Sequence, residues 1–123
     1  MSIIIADADG LKKVNDTFGH GTGNQLLIDL AGLFTQVFRQ EDIISRIGGD
    51  EFVVFLPESD SSIDKIALKR IKKRINIYNK KHTNLPINIS MGVSTANQGE
   101  SSKDRLKIAD KLMYEVKNMK YRK

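Results

Sequence analysis

The chain has 123 residues, 40% of them hydrophobic and 28% charged, enough for one compact domain with its own core and too few for two. It contains no cysteine, which excludes disulfide scaffolds and thiolate metal sites and fits a reducing, cytoplasmic setting. Its longest apolar run, Phe52–Leu56, is far too short to cross a bilayer, and Met1-Ser2-Ile3 lacks the basic and apolar stretches of a secretory signal. The net charge of +5 favours anionic partners. The cations concentrate in Lys65–Lys81 and Lys117–Lys123, read first as solvated helix faces. No aromatic residue interrupts the first run before Tyr78, so a stacking platform for nucleic acid is not expected.

Ser2–Ala6 is rich in β-branched isoleucine and reads as a short buried strand, ending before Asp7 and Asp9. Gly10-Leu11-Lys12 follows as a turn whose N–H groups can form an anion-binding nest, with Lys12 adding positive charge. Asn15 and Asn24 flank a Gly19-His20-Gly21 loop. Each amide has the donors and acceptor needed to read a base edge; the plainer readings are turn chemistry for Asn15 and helix capping for Asn24. Gly23-Asn24 opens a helix with apolar residues at Leu26, Leu27, Leu30, Leu33, Phe34, Val37 and Phe38.

Ile43–Ile47 and Phe52–Leu56 form a hairpin around Gly48-Gly49. A glycine pair suits the positive φ values of a tight two-residue turn and leaves room for a ligand against the backbone. Asp50 and Glu51 follow, and strand alternation points them to opposite faces. After Pro57 and Ser59–Ser62, a long helix from about Ile63 to Lys81 carries Ile63, Ile66, Ala67, Ile71, Ile75 and Tyr78 on one side. Ile87–Ser94 alternates apolar and polar residues as a half-buried strand. Asn97–Ser102 is a polar loop, and Lys103–Lys120 a final helix, apolar at Leu106, Ala109, Leu112, Met113, Val116 and Met119.

The order β-α-β-β-α-β-α predicts an α+β fold: a ferredoxin-like βαββαβ unit, as in nucleotidyl-transferase palms, with a C-terminal helix. In that sheet the first and hairpin strands can be neighbours, bringing Asp7 and Asp50 within reach of a shared magnesium pair. Magnesium takes one or two protein carboxylates and fills its octahedron with water and phosphate oxygens. Two such ions can activate an attacking oxygen and stabilise a leaving one. Glu51 is a further metal contact or proton acceptor.

Taken together and in order, these segments resemble the GGDEF diguanylate cyclase domain. Asp7-Ala8-Asp9-Gly10-Leu11-Lys12-Lys13-Val14-Asn15-Asp16 is similar to the family's Asp-x-Asp-x-Phe-Lys-x-x-Asn-Asp segment. Phe18-Gly19-His20 and Gly23 are similar to the Gly-His-x-x-Gly-Asp turn, and Gly48–Phe52 to the signature. Ser90-Met91-Gly92-Val93, Ala109-Asp110, Tyr114 and Lys117 resemble the closing strand and helix. The resemblance implies condensation of two GTP molecules into cyclic di-GMP with release of pyrophosphate, between two domains face to face. It implies magnesium, or manganese, at Asp7 and Asp50 with the Ala8 carbonyl, and Glu51 as metal contact or base. Gly10, Leu11, Lys12 and Lys117 would hold phosphates, Asn15 and residue 24 guanine, and Gly48-Gly49 would give the nucleotide backbone access. Arg39-Gln40-Glu41-Asp42 resembles the inhibitory Arg-x-x-Asp site for cyclic di-GMP, with Arg70 as its second arginine.

Three departures stand out. Asn24 replaces the family's guanine-binding aspartate, and Tyr121 stands where a phosphate arginine is expected, with Lys120 or Arg122 as substitutes. The upstream Asp-x-Leu-Thr-Gly-Leu-x-Asn-Arg segment and its helix are absent, so a single, truncated domain over 1–123 with some exposed apolar surface is expected. The alternative readings are a non-catalytic module binding GTP or cyclic di-GMP, and a cyclase of altered base selectivity.

Overall fold

A computed structural model describes residues 1–96 and 99–121, the Tyr121 side chain excepted. Among these the elements run β1 (Ser2–Ala8), α1 (Leu11–Phe18), α2 (His20–Val37), β2 (Ile43–Arg46), β3 (Glu51–Leu56), α3 (Ser61–Lys81), β4 (Ile89–Thr95) and α4 (Ser102–Tyr121). The strands form one antiparallel sheet in the order β2-β3-β1-β4. This is the expected α+β unit with its C-terminal helix.

The segment after β1 differs from expectation. Residues 11–18 form a helix rather than an open turn, and α2 begins at His20 rather than Gly23. Leu11, Val14 and Phe18 have helical spacing, but polar neighbours and glycines at both ends obscure it. Gly10 (φ 73°) and Gly19 (φ 92°) adopt left-handed backbone, which breaks α1 cleanly from β1 and α2. Asn24 therefore lies exposed inside α2, and the capping reading fails because Gly19 holds the cap position.

Every residue of β1 is buried, because helices cover both faces of the strand. On one face Ile4, Ala6, Phe52, Val54 and Leu56 pack against Leu27, Leu30 and Phe34 of α2 and Ala67, Ile71 and Ile75 of α3. Phe34 meets Phe52 edge-on, with ring centroids 5.4 Å apart. On the other face Ile3 and Ile5 pack against Ala109 and Met113 of α4.

The alternation of β4 is as read, yet its small and polar side is the buried one. Ser90, Gly92 and Ser94 lie beneath α4, while Ile89, Met91 and Val93 are half-buried against the α2–α3 layer. The cause is close helix–sheet approach: a Cβ on Gly92 would fall 2.1 Å from the Ala109 carbonyl oxygen and 2.4 Å from the Met113 nitrogen. Of the expected apolar face of α4 only Ala109 and Met113 are buried; Leu106, Leu112, Val116 and Met119 are exposed.

Helix α3 starts where Asp60 caps it, the carboxylate accepting from the Ser62 and Ile63 amides. Ala67, Ile71 and Ile75 turn inward as expected, but Ile66 is 51% exposed. Asp64, 2% exposed, accepts hydrogen bonds of 2.6 Å from each of the Ser2, Ser59 and Thr95 hydroxyls.

Candidate active site

The site forms where β1 ends. Asp7 lies across from Glu51 of β3 and Ser90 of β4, so register alone places Glu51 beside it on the α4 face. Asp50 precedes β3 and belongs to the turn, so strand alternation does not govern its direction. Its carbonyl accepts from the Ala8 amide at 2.8 Å, pinning the turn to the end of β1. The Asp7 carboxyl is pushed up from 3.8 to about 6, first by burial, with the Asp50 charge acting in the same direction and Lys117 opposing both. Asp7 and Asp50 are thus brought together.

Lys117 of α4 reaches over this end of the sheet. Its Nζ lies 3.1 Å from Asp7 Oδ2 and 4.0 Å from Asp9 Oδ1. Burial works against its charge, but the hydrogen bond to Asp7 and the charges of Asp7, Asp9 and Asp50 leave its pKa raised. Lys120 Nζ lies 3.2 Å from Asp9 Oδ2 and also donates to the Ile89 carbonyl. Ser90 Oγ donates to the same Asp9 oxygen at 2.8 Å. The candidate set drawn from the sequence omitted Asp9 and Ser90; the second acid of Asp7-Ala8-Asp9 was the available signal. Tyr121's side chain and Arg122 lie outside the described residues.

Two buried oxygens at this spot, Asp7 Oδ1 and Asp9 Oδ1, have no hydrogen-bond partner. A buried carboxylate oxygen without a partner is costly unless something else meets it. All-oxygen donors from two carboxylates suit a hard divalent cation, and two are too few for a closed protein cage. Among the described residues no group of three His, Asp or Glu side chains converges with metal-binding spacing. The residues fit a hard divalent cation that fills its remaining positions with oxygens from outside the protein.

The turn Ile47–Asp50 joins β2 to β3, closed by the Ile47 amide donating to the Glu51 carbonyl at 3.0 Å. Gly48 and Gly49 do not use positive φ, so this is not the two-residue glycine turn expected. Arg46 instead braces it, donating to the Gly48 and Gly49 carbonyls at 3.1 and 2.7 Å. A Cβ on Gly49 would meet nothing within 4 Å, and one on Gly48 only Glu51 at 3.9 Å. Protein packing does not require these glycines; they leave open space beside Asp50.

Across the site, Gly10 precedes α1 in left-handed backbone, and no side chain caps that helix. Its first amides, at Leu11 and Lys12, are left for another acceptor. Asn15 sits on α1 with Oδ1 buried and unpartnered. It packs against Gly23 of α2, where a Cβ would fall 1.7 Å from that oxygen. Asn24 follows, exposed.

The remaining candidates gather elsewhere. Arg39, Asp42 and Arg70 line one cavity with Val37, Leu56 and Ile66. The Arg39 amide donates to Asp42 Oδ2 at 2.8 Å, and its guanidinium to the Glu58 carbonyl at 2.9 Å. The Asp42 carboxylate raises the Arg39 pKa.

A four-stranded antiparallel palm with acids at the end of its central strand and an open glycine turn beside them defines an α+β palm-type domain. The chain belongs to the GGDEF family: residues 1–123 match the family described as "Diguanylate cyclase, GGDEF domain". It is 36% identical over 122 residues to diguanylate cyclase A of Treponema denticola, covering 95% of this chain and 32% of that protein. Against diguanylate cyclase DosC of Escherichia coli it is 31% identical over 120 residues, covering 95% of this chain and 26% of that one. The chain thus spans a third or less of these relatives' length. Among solved structures, it resembles the active GGEEF domain of a Vibrio cholerae diguanylate cyclase, with TM-score 0.85 and 29% identity over 96% of this chain and 76% of that one. The GGDEF domain of DgcB from Caulobacter crescentus, in complex with c-di-GMP, gives TM-score 0.84 and 28% identity over 96% of this chain and 72% of that one.

Proposed function

We infer that this chain is the catalytic domain of a diguanylate cyclase, condensing two GTP molecules into cyclic di-GMP and releasing pyrophosphate. The observation that carries the reading is the partnerless Asp7 Oδ1 beside Asp50 and Lys117, next to a turn kept open by Gly48 and Gly49. Asp7 and Asp50, with the Ala8 carbonyl, would hold magnesium or manganese. Bound there, the metal supplies Lewis-acid stabilisation of phosphate oxygens and lowers the pKa of the attacking 3′-hydroxyl. Lys117, Lys12 and the Gly10 and Leu11 amides hold the triphosphate of GTP, and Asn15 and Asn24 contact guanine. Glu51, beside Asp7 in register, assists as metal contact or proton acceptor.

One domain presents one nucleotide, so turnover needs a second GGDEF domain facing it. With GTP and magnesium, product formation should rise faster than linearly with protein concentration. A rate strictly first order in protein would sink the paired-domain mechanism. The cavity of Arg39, Asp42 and Arg70 serves as an inhibitory site for cyclic di-GMP; an Arg39→Ala variant that binds cyclic di-GMP as tightly as the parent would overturn that role. The domain works on cytoplasmic nucleotides.

Lys120 favours a second reading. Its ammonium is engaged by Asp9 and the Ile89 carbonyl, so it does not substitute for the family's closing phosphate arginine. With Lys120 held in this way, the chain is a candidate non-catalytic module for GTP or cyclic di-GMP. Calorimetry with both ligands on the parent and on Asp50→Ala, beside product analysis, separates binding from turnover. Asn24→Asp tests base selectivity: with GTP and ATP supplied together, it should shift the product toward guanine alone.

A further inference from the structure

The positive charge of the protein is gathered on one helix face. Helix α3 carries eight cations between Lys65 and Lys81 against a single acid, Asp64. All eight are exposed. Asp64 faces inward, bound to three hydroxyls, so it offsets none of them at the surface. Among the described residues every ion pair involves other elements. Like charges at three- and four-residue spacing repel and destabilise a helix; here they are retained along about 30 Å of helix.

Two isoleucines lie within this field. Ile66 is 51% and Ile77 43% exposed, and they fall on nearly the same line, three turns apart. Between them Arg70, Lys73, Arg74 and Ile77 line a groove against Gln36 and Val37 at the end of α2. Cations mixed with exposed aliphatic side chains on a long helix suit the headgroup region of an anionic bilayer, where the ammonium and guanidinium groups meet phosphate and the isoleucines enter the acyl boundary. A nucleic acid backbone gives the isoleucines no partner. It also finds no free stacking ring here, because the Tyr78 phenol donates to Asp29 at 2.6 Å and its ring is stacked on His82.

We propose that the outer face of α3 is a docking surface for an anionic lipid bilayer. The cations from Lys65 to Arg74 supply the electrostatic attachment, Ile66 and Ile77 shallow insertion, and the three-cation groove a seat for a headgroup phosphate; Arg70 and Ile66 also line the cavity assigned to cyclic di-GMP, so docking and nucleotide binding there compete. Since α3 covers one face of the sheet while Asp7, Glu51 and Lys117 lie toward the α4 face, docking leaves those groups open.

Sedimentation of the whole chain with vesicles of phosphatidylcholine, with and without about one-third phosphatidylserine, tests this, because each cation near an anionic surface is worth about five-fold in partitioning. The chain should bind the phosphatidylserine vesicles, only weakly engage phosphatidylcholine alone, and release with rising salt. Lys69→Glu/Lys72→Glu/Lys73→Glu should lower partitioning at least about 100-fold with unchanged Tm. Ile66→Ser/Ile77→Ser should weaken the binding that remains at high salt. The proposal is overturned by equal binding to both vesicle types, by no binding, by a charge-reversed variant that partitions like the parent, or by preference for a nucleic acid duplex over the anionic vesicles.

Discussion

The Asp7 carboxyl, 3% exposed and beside Asp50, has its pKa raised from 3.8 to about 6. A folded value above the unfolded one favours folding most below about pH 4, and that contribution is lost as pH rises through about 6. At neutral pH the ionised group therefore weighs against the fold. Asp7→Asn should raise the Tm of metal-free protein at about pH 7.5 by roughly 5 °C in calorimetry, while abolishing metal-dependent nucleotide binding. For the parent, magnesium-dependent GTP binding should weaken as pH falls through about 6, because a protonated carboxyl is a poor ligand; titration calorimetry across that range checks it. A second prediction concerns Asn15. Gly23→Ala places a methyl where Asn15 Oδ1 lies, so the amide must turn away. GTP affinity should fall at least about ten-fold, one good hydrogen bond's worth, with far-UV circular dichroism unchanged. The acids and Asn15 were legible as residues. The partners of Asp9 were not, because Ser90 and Lys120 come from the far end of the chain.

Among the elements, α4 depends on a single glycine. Gly92→Ala would drive a Cβ into the Ala109 carbonyl and the Met113 amide, backbone atoms that can yield only if the helix lifts. Urea unfolding should show a loss of about 3 kcal/mol, the upper range for overpacking, and Lys117 should lose its reach to Asp7. Gly32 is the contrast. It lies in α2 with nothing within 4 Å of its would-be Cβ, so Gly32→Ala should stabilise by about 0.5–1 kcal/mol in the same assay. Periodicity made α2, α3 and the extent of α4 readable, and the continuous apolar run Phe52–Leu56 made β3 so. Periodicity failed for α1, none of whose eight residues is fully buried; Leu11, Val14 and Phe18 repeat at helical spacing, but the polar residues between them and the flanking glycines looked like loop. It also missed the inward face of β4, where serines and a glycine lie inside because a helix backbone needs the room.

For the whole molecule, Asp64 ties three parts together: Ser2 at the start of β1, Thr95 at the end of β4, and Ser59 ahead of α3, each by a 2.6 Å bond. Asp64→Ala leaves three hydroxyls without their acceptor in a buried place. It should destabilise by about 3 kcal/mol in equilibrium unfolding, with β1, the strand that carries Asp7, loosened first in hydrogen exchange. Nothing local in the sequence marks Asp64 as interior; the meeting of the start of β1, the end of β4 and the segment ahead of α3 makes it so.

Adjacent residues made legible the four strands, helices α2, α3 and α4, the α+β order, the acid at the end of the first strand, and the two glycines before Asp50 and Glu51. These follow from local periodicity and turn chemistry, which act over a few residues. Contacts across the fold set which side of β4 faces inward, that Asp50 approaches Asp7 from the turn while Glu51 lies beside it on the neighbouring strand, and that Lys120 closes on Asp9, 111 residues away. Those outcomes rest on cross-strand register and on how closely a helix can approach a sheet, and both are set by contacts between segments distant along the chain.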